Sequence, residues 1–586
     1  MSAGPLVAVG ESSSRGPERL AVAIIAALVL AFFGHVLRFP FIYDDHWTIV
    51  DNPVVSQGSG LGQLLSGQLV REGVPDAGRP VMLASVILDA RLWGLSPMAF
   101  HAQNLFWHAL ASILVLLGLR HLTQSLPAAL FAAAIFAVHP LTVEPVAAVN
   151  YREDLLSTSF LLLGLFAVGA SRRADGRGAV VVQKVLAFGC FVTAAGAKES
   201  AYVAPLLLLL LDLFLPRAES RADTARGLPP GKSARERIVD VGLAALATGL
   251  VMLWRRFALG AWGEVSQSAA SNPDSLLFRV VESGHGFVAG LFQSIAPRGL
   301  SPEYDPVAID GWGLFVGLAA LVAIAGLVAL VVYLRPRAPL AALGLAWALV
   351  AFLPTSGLVA LTNERADRYM YLGLPGLILV VVVGLSRLSV RLSERLRRGR
   401  PPVTVAGMPL TWMLAGLMVT GLGLVSRQQS LLWADEERLW AYAVKHAPNS
   451  PRSWAGWGSL LLERRQTLEA QLAATAGLTR FNGDPRLREL LGLTYLHQGS
   501  IATACDVLKQ AADVGPAADR AQRASNLGYC YMRLLRFEDA LPQFEKARRL
   551  APWFDRGWTN AIETLKRMGR TKEAEALQAE FDARGA

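Results

Sequence analysis

Charge is scarce in this chain. Asp, Glu, Lys and Arg make up only 17% of its 586 residues, against roughly a quarter in an ordinary soluble domain, while 53% are hydrophobic. That shortage excludes a soluble globular protein of this length. Cysteine is equally sparse, at three residues. Cys190 falls in an apolar run, and Cys505 and Cys530 fall near the C-terminus. Their spacing outlines neither a disulfide framework nor a zinc site, and a Cys505–Cys530 bridge, although compatible with the sequence, is not predicted by it. The formal net charge of +10 does not call for nucleic acid, and no nucleic-acid partner is expected.

What the chain has instead is long apolar runs, such as VAPLLLLLL at 203–211 and GLILVVVVG at 376–384. Mean hydropathy is +0.38. Membrane helices are predicted over 20–37, 101–119, 127–142, 154–171, 181–196, 200–216, 239–255, 312–334, 338–358, 369–386 and 407–426, about 11 spans in all. The first run follows a polar stretch ending at Arg15 and Arg19 and has no small-residue cleavage site after it, so it reads as a retained helix. Segments 81–96, with Asp89 and Arg91, and 275–296, with Arg279, Glu282 and His285, read as interfacial or re-entrant helices. With the N-terminus cytoplasmic, basic residues are roughly three-fold denser in inner than in outer segments, chiefly through SRRADGRG (171–178) and RLSVRLSERLRRGR (387–400). An odd number of spans then places the C-terminal region outside, in the periplasm for a bacterial inner-membrane protein.

From 451 the apolar runs stop. Segments starting at 451, 485, 521 and 555 repeat a pattern of Gly, aromatic or Leu, Ala, and Pro. The clearest has Leu527, Gly528, Tyr531, Ala540, Phe544, Ala547 and Pro552. The spacing matches the 34-residue helix-turn-helix repeat, with small residues where paired helices touch. The fold class is therefore all-α: a polytopic membrane bundle over 1–430, with its first outer loop at 38–100, a connector helix at 431–450, and an α-solenoid of tetratricopeptide repeats over 451–586. Such arrays bind peptides or proteins, or act as a rigid cap on the bundle.

Ionisable residues crowd the outer ends of the spans. Asp44 and Asp45 lie in FPFIYDDHWTIVDNP (39–53). His139, Glu144, Arg152 and Asp154 lie in HPLTVEPVAAVNYRED (139–154). Lys198 and Glu199 form a short turn, and Glu364, Arg365, Asp367, Arg368, Tyr369 and Tyr371 lie at the outer end of the tenth span. Charges at a membrane boundary are costly and read first as function. A lipid-linked sugar donor needs cations on its phosphate, and an acceptor hydroxyl needs a carboxylate. Asp44 or Asp45 is therefore the candidate base, and Arg152, Lys198 and Arg368 are the candidate phosphate ligands. His139, Glu144, Asp154, Glu199, Arg365 and Tyr371 are candidate supporting residues. Each has a structural alternative as a cap, a buttress or a helix end, and Trp47 and Trp107 read as interface anchors. No cofactor is firmly expected beyond the lipid-linked donor, but Asp44, Asp45 and Glu144 would suit a divalent ion.

The Asp-Asp of the first outer loop, the HPxxxExVxxxxxRxD stretch, Lys198-Glu199, and DRYMYL (367–372) followed by Pro375 together resemble the transmembrane and tetratricopeptide-repeat protein O-mannosyltransferases. The resemblance covers nearly the whole chain and rests on the order of short motifs. It implies a glycosyltransferase C-type fold, an inverting transfer from a dolichyl- or polyprenyl-phosphate sugar to protein Ser/Thr hydroxyls, and a catalytic acid at Asp44 or Asp45. The alternatives are a polysaccharide or lipid glycosyltransferase without a protein acceptor, and a non-enzymatic scaffold of an export complex.

Overall fold

The computed structural model describes residues 15–215, 234–259, 276–306, 311–359, 361, 363, 365–396, 404–405 and 408–583. The polar segment before Arg15, most of the basic loop 217–238, Glu364, and the end of the basic stretch 387–400 lie outside the described residues. The fold is helical. Among the described residues the only extended pairing is a two-residue ladder, Thr404–Val405 against Met408–Pro409.

Among the described residues six helices are long and apolar enough to cross a bilayer: Gly16–Arg38, Pro97–Thr123, Val149–Arg173, Arg177–Ala197, Ala234–Ala258 and Leu314–Leu334. A bent pair, Leu126–Val138 with Pro140–Ala147 at 54°, makes up to seven, and Pro339–Thr355 and Leu374–Leu388 are shorter. The sequence predicts eleven spans. All eleven segments contain helix, but breaks shorten several of them. The segment at 200–216 opens as a 3-10 turn, Glu199–Val203, and continues as Ala204–Phe214, 11 residues or about 16 Å of helix. The two shorter apolar helices touch closely, because a Cβ on Gly344 or Gly376 would run into the carbonyl oxygen of the other.

The bend at His139-Pro140 follows from proline chemistry. The helix stops at Val138, and the carbonyls left at the break find side chains. His108 Nε2 bonds Ala137 O at 3.0 Å, and the Ser426 hydroxyl donates to Val138 O at 2.6 Å. Beyond the bend the chain does not emerge as an exposed loop between the predicted spans 127–142 and 154–171. Residues 139–154 are buried throughout, and Asn104 Nδ2 donates to Pro145 O and Ala148 O. Irregular backbone is stable here because protein surrounds it.

The two ambiguous segments are helices, Pro80–Trp93 and Leu276–Gln293, the second packed through Phe287 on Phe352 with ring centroids 4.3 Å apart. After the last apolar helix, Leu410–Ser430, a 3-10 turn at Leu431–Ala434 leads to Glu436–His446, capped by Asp435. Four helix pairs follow: Pro451–Glu463 with Thr467–Arg480, Pro485–His497 with Ile501–Ala511, Ala517–Arg533 with Phe537–Leu550, and Asp555–Arg567 with Thr571–Ala583. Their glycines mark close approach: a Cβ on Gly492 would sit 2.6 Å from Leu508, and one on Gly528 2.8 Å from Phe544. Cys505 and Cys530 are joined as a disulfide across the second and third pairs, Cα atoms 5.6 Å apart. The sequence does not predict this bond, because stacking of successive repeats supplies the proximity.

The array packs back onto the bundle. Ala521, Ala524, Ala551 and Trp553 share a core with Phe41, Ile49 and Leu69 of the first loop. Trp47, expected at a lipid interface, lies edge-on to Trp553 at 4.9 Å.

Candidate functional site

The two adjacent aspartates have different surroundings. Asp45 is fully buried, and its carboxylate accepts the backbone N–H groups of Ile42 (3.3 Å), Val149 (3.4 Å) and Asn150 (2.7 Å). Burial pushes its carboxyl up to about 7 against those three donors. Asp45 thereby pins the buried 139–154 segment to the first loop. Asp44 is partly exposed, and its Oδ2 accepts the Tyr151 hydroxyl at 3.0 Å. Asp44 is the more accessible of the two carboxylates.

Tyr151 connects Asp44 to the cations. The Arg368 guanidinium carbon lies 3.9 Å from the centre of the Tyr151 ring. Glu144 holds Arg368 twice, accepting its backbone N–H at 2.9 Å and its Nη1. Among the described residues the buried Arg368 Nε has no hydrogen-bond partner. Tyr369 carries two cations near its ring, Arg368 at 5.3 Å and Lys198 at 5.9 Å. Lys198 Nζ pairs with Asp154 at 2.6 Å and Glu153 at 3.1 Å. Asp44, Tyr151, Arg368, Tyr369 and Lys198 thus form one cluster at the end of the bundle that faces the repeats.

Arg152 departs from the expected role. Only 1% exposed, it donates to Asn104 Oδ1 (2.8 Å), Asp89 Oδ2 (2.5 Å), Ser85 Oγ (3.4 Å) and Phe100 O (2.9 Å). Its donors are engaged by the helix Pro80–Trp93 and its surroundings, so in this structure it buttresses the fold. His139 is also structural: Nδ1 accepts the Leu141 N–H at 3.2 Å and Nε2 bonds Ser294 O at 3.1 Å. Tyr371 is buried in the bundle, its hydroxyl 2.8 Å from His108 Nδ1. Arg365 lies over the Tyr304 ring at 3.8 Å, and the Tyr304 hydroxyl donates to Asp367. Burial, and then the nearby Glu144 charge, push Asp367 up to about 7. Burial alone would raise Glu199, but Arg79 and Arg255 hold it well below the usual carboxylate range.

Asp44, Asp45 and Glu144, whose residue types would suit a divalent ion, are engaged elsewhere. Asp45 is spent on backbone donors and Glu144 on Arg368, and among the described residues no group of three His, Cys, Asp or Glu side chains is placed to hold a metal ion.

Sequence reasoning named Tyr369 without giving it a role and missed other members. Tyr151 lies inside a quoted motif, beside the charged residues that drew notice. Arg79, in the first outer loop, pairs with Glu153 at 2.8 Å and Glu199 at 3.2 Å, and no motif marks it. Next to Arg365, Asp367 and Tyr369 runs a shallow groove between Leu276–Gln293 and Pro339–Phe352, lined by Phe287, Gly290, Ala351 and Phe352 among others.

No family model matches the chain. Among curated proteins it is similar to the protein O-mannosyl-transferase TMTC1 of Homo sapiens, 23% identical over 485 residues, which is 77% of this chain and 54% of that protein. Its similarity to the protein O-mannosyl-transferase TMTC4 of Mus musculus is 25% over 478 residues, 74% of this chain and 62% of that one. The Tmtc1 protein of Drosophila melanogaster is 30% identical over 203 residues, 34% of this chain and 23% of that one. The chain thus spans about half the length of the human relative and less than a quarter of the fly one. A crystal structure of the APC/C hetero-tetramer Cut9-Hcn1 aligns over 90% of this chain and 94% of that one at 13% identity and a TM-score of 0.26, a likeness too loose to carry an argument. The chain is therefore similar, over most of its length, to proteins named as protein O-mannosyl-transferases.

Proposed function

We propose that this chain is a multi-pass membrane glycosyltransferase that moves mannose from a polyprenyl-phosphate donor to Ser/Thr hydroxyls of proteins. The observation that carries the reading is the approach of one accessible carboxylate, Asp44, to the cation cluster of Arg368 and Lys198 through Tyr151 and Tyr369. Asp44 takes the proton of the acceptor hydroxyl. That oxygen attacks the anomeric carbon as the bond to the phosphate breaks, which inverts the configuration. Arg368 and Lys198 receive the polyprenyl phosphate that leaves. Neither is an idle cation, so the donor phosphate competes with Glu144 for Arg368 and with Glu153 and Asp154 for Lys198. The names of the relatives support the sugar and the protein acceptor. The N-terminus is cytoplasmic in this reading, the cluster and the repeats face outward, and the array recruits the acceptor. A glycosyltransferase C-type fold is part of this reading.

The test is transfer from polyprenyl-phosphate-mannose to a Ser/Thr peptide in membranes holding the full chain. Asp44→Asn is expected to lower kcat by at least about 100-fold at normal protein level. Full transfer by that variant would remove the base and the reading with it.

A further inference from the structure

We infer that Arg452, in the first repeat helix, is a positioning residue for transfer, holding the carboxylate side and the cation side of the cluster in register so that the site is complete only while the array is docked. This rests on the reading of Asp44 and Arg368 given above. Arg452 Nη2 donates to the Tyr43 hydroxyl at 2.7 Å, its Nη1 donates to Asn363 Oδ1 at 2.7 Å, and its Nε lies 3.1 Å from Glu303 Oε1. The Tyr43 hydroxyl donates to the same Glu303 oxygen at 2.5 Å.

Each contact leads to a working part of the cluster. Tyr43 directly precedes Asp44, and its backbone is left-handed, with φ 57°. A non-glycine residue keeps that conformation only where its surroundings impose it. Those surroundings come largely from beyond the bundle. Glu436 accepts the Tyr43 N–H at 3.0 Å, the rings of Trp433 and Trp440 lie 5.9 and 5.1 Å away, and Arg452 holds the hydroxyl. On the other side, Asn363 O accepts the Tyr369 hydroxyl at 2.5 Å, and Tyr369 carries Arg368 and Lys198 near its ring. One guanidinium therefore ties the loop that aims Asp44 to the loop that presents the cations. The rigid fork of donors suits three partners at once, which a lysine ammonium on a flexible stem does not.

The test uses the full-length chain in lipid, with polyprenyl-phosphate-mannose and a Ser/Thr peptide. Arg452→Ala and Arg452→Lys are expected to lower kcat by about 10- to 100-fold while KM for either substrate stays within about two-fold. Tyr43→Phe removes only the hydroxyl that Arg452 grips and is expected to lower kcat in the same way. The Tyr43→Phe/Arg452→Ala double variant is expected to be no worse than Arg452→Ala alone. Unchanged kcat in Arg452→Ala, a change confined to peptide KM, or multiplying effects in the double variant would each overturn the inference. If Arg452→Ala does not accumulate, Tyr43→Phe and Asn363→Ala, each removing one partner, carry the same expectation. Asp44→Asn in the same preparation separates the two failures. If it still transfers, the site itself is misassigned; if it is dead while Arg452→Ala is not, only the positioning role falls.

Discussion

Asp44 and Asp45 are neighbours in sequence and opposites in circumstance. Asp45 meets backbone donors up to 105 residues away in the chain, while Asp44 stays partly open beside Tyr151. Asp45→Asn would turn an amide donor toward donors, so it is expected to cost about 1–3 kcal/mol of stability, read as a lower unfolding temperature in detergent. Asp44→Asn should leave that temperature unchanged. Arg152 gives a second contrast. Arg152→Met leaves Asp89 buried without its partner and is expected to cost about 3–5 kcal/mol, read as loss of folded protein. Adding Asp89→Leu should restore much of the yield, a rescue that a phosphate ligand would not show. The acidic pair, the lysine and the arginines were legible in the sequence because charge at a membrane boundary needs a reason. Which member of each set is buried was not legible, because burial of Asp45 and Arg152 is decided by segments remote in sequence.

The repeat helices were read close to their true starts, because Gly and Ala recur where helices touch. Gly528→Leu would drive a side chain into Phe544 and is expected to destabilise the third pair by about 1–3 kcal/mol, measurable as faster proteolysis within 517–550. The membrane helices were read less well, since hydropathy counts apolar residues and does not see a 3-10 turn or a proline break. Hence 127–142 reads as one span where the chain bends at His139. The repeats also carry a titrating contact. Glu489 accepts Arg523 Nε at 2.9 Å, and burial pushes its carboxyl up to about 7, with Arg523 opposing. A carboxyl raised above its unfolded value keeps its proton longer in the folded chain. Its contribution is present in acid and lost as pH rises through about 7. The wild-type chain should therefore lose thermal stability relative to Glu489→Gln between about pH 4.5 and 7, seen in unfolding scans across that range.

At the scale of the whole molecule, the array lies against the first loop instead of trailing free. Trp553, 3% exposed, is its deepest large contact there. Trp553→Ala is expected to cost about 3 kcal/mol and to expose the link around 447–450 to protease. One further feature reports on the chain's surroundings. The link between Cys505 and Cys530 closes a separation of 25 residues, worth about 3 kcal/mol to the array. Such a bond persists where thiols are oxidised and is lost where glutathione keeps them reduced. A maleimide mass tag applied to freshly denatured cells should therefore label both sulfurs only after reductant if the array lies outside, and without reductant if it lies in the cytosol. The two sulfurs thus act as an internal compass for the orientation of the membrane domain, readable without any fusion partner.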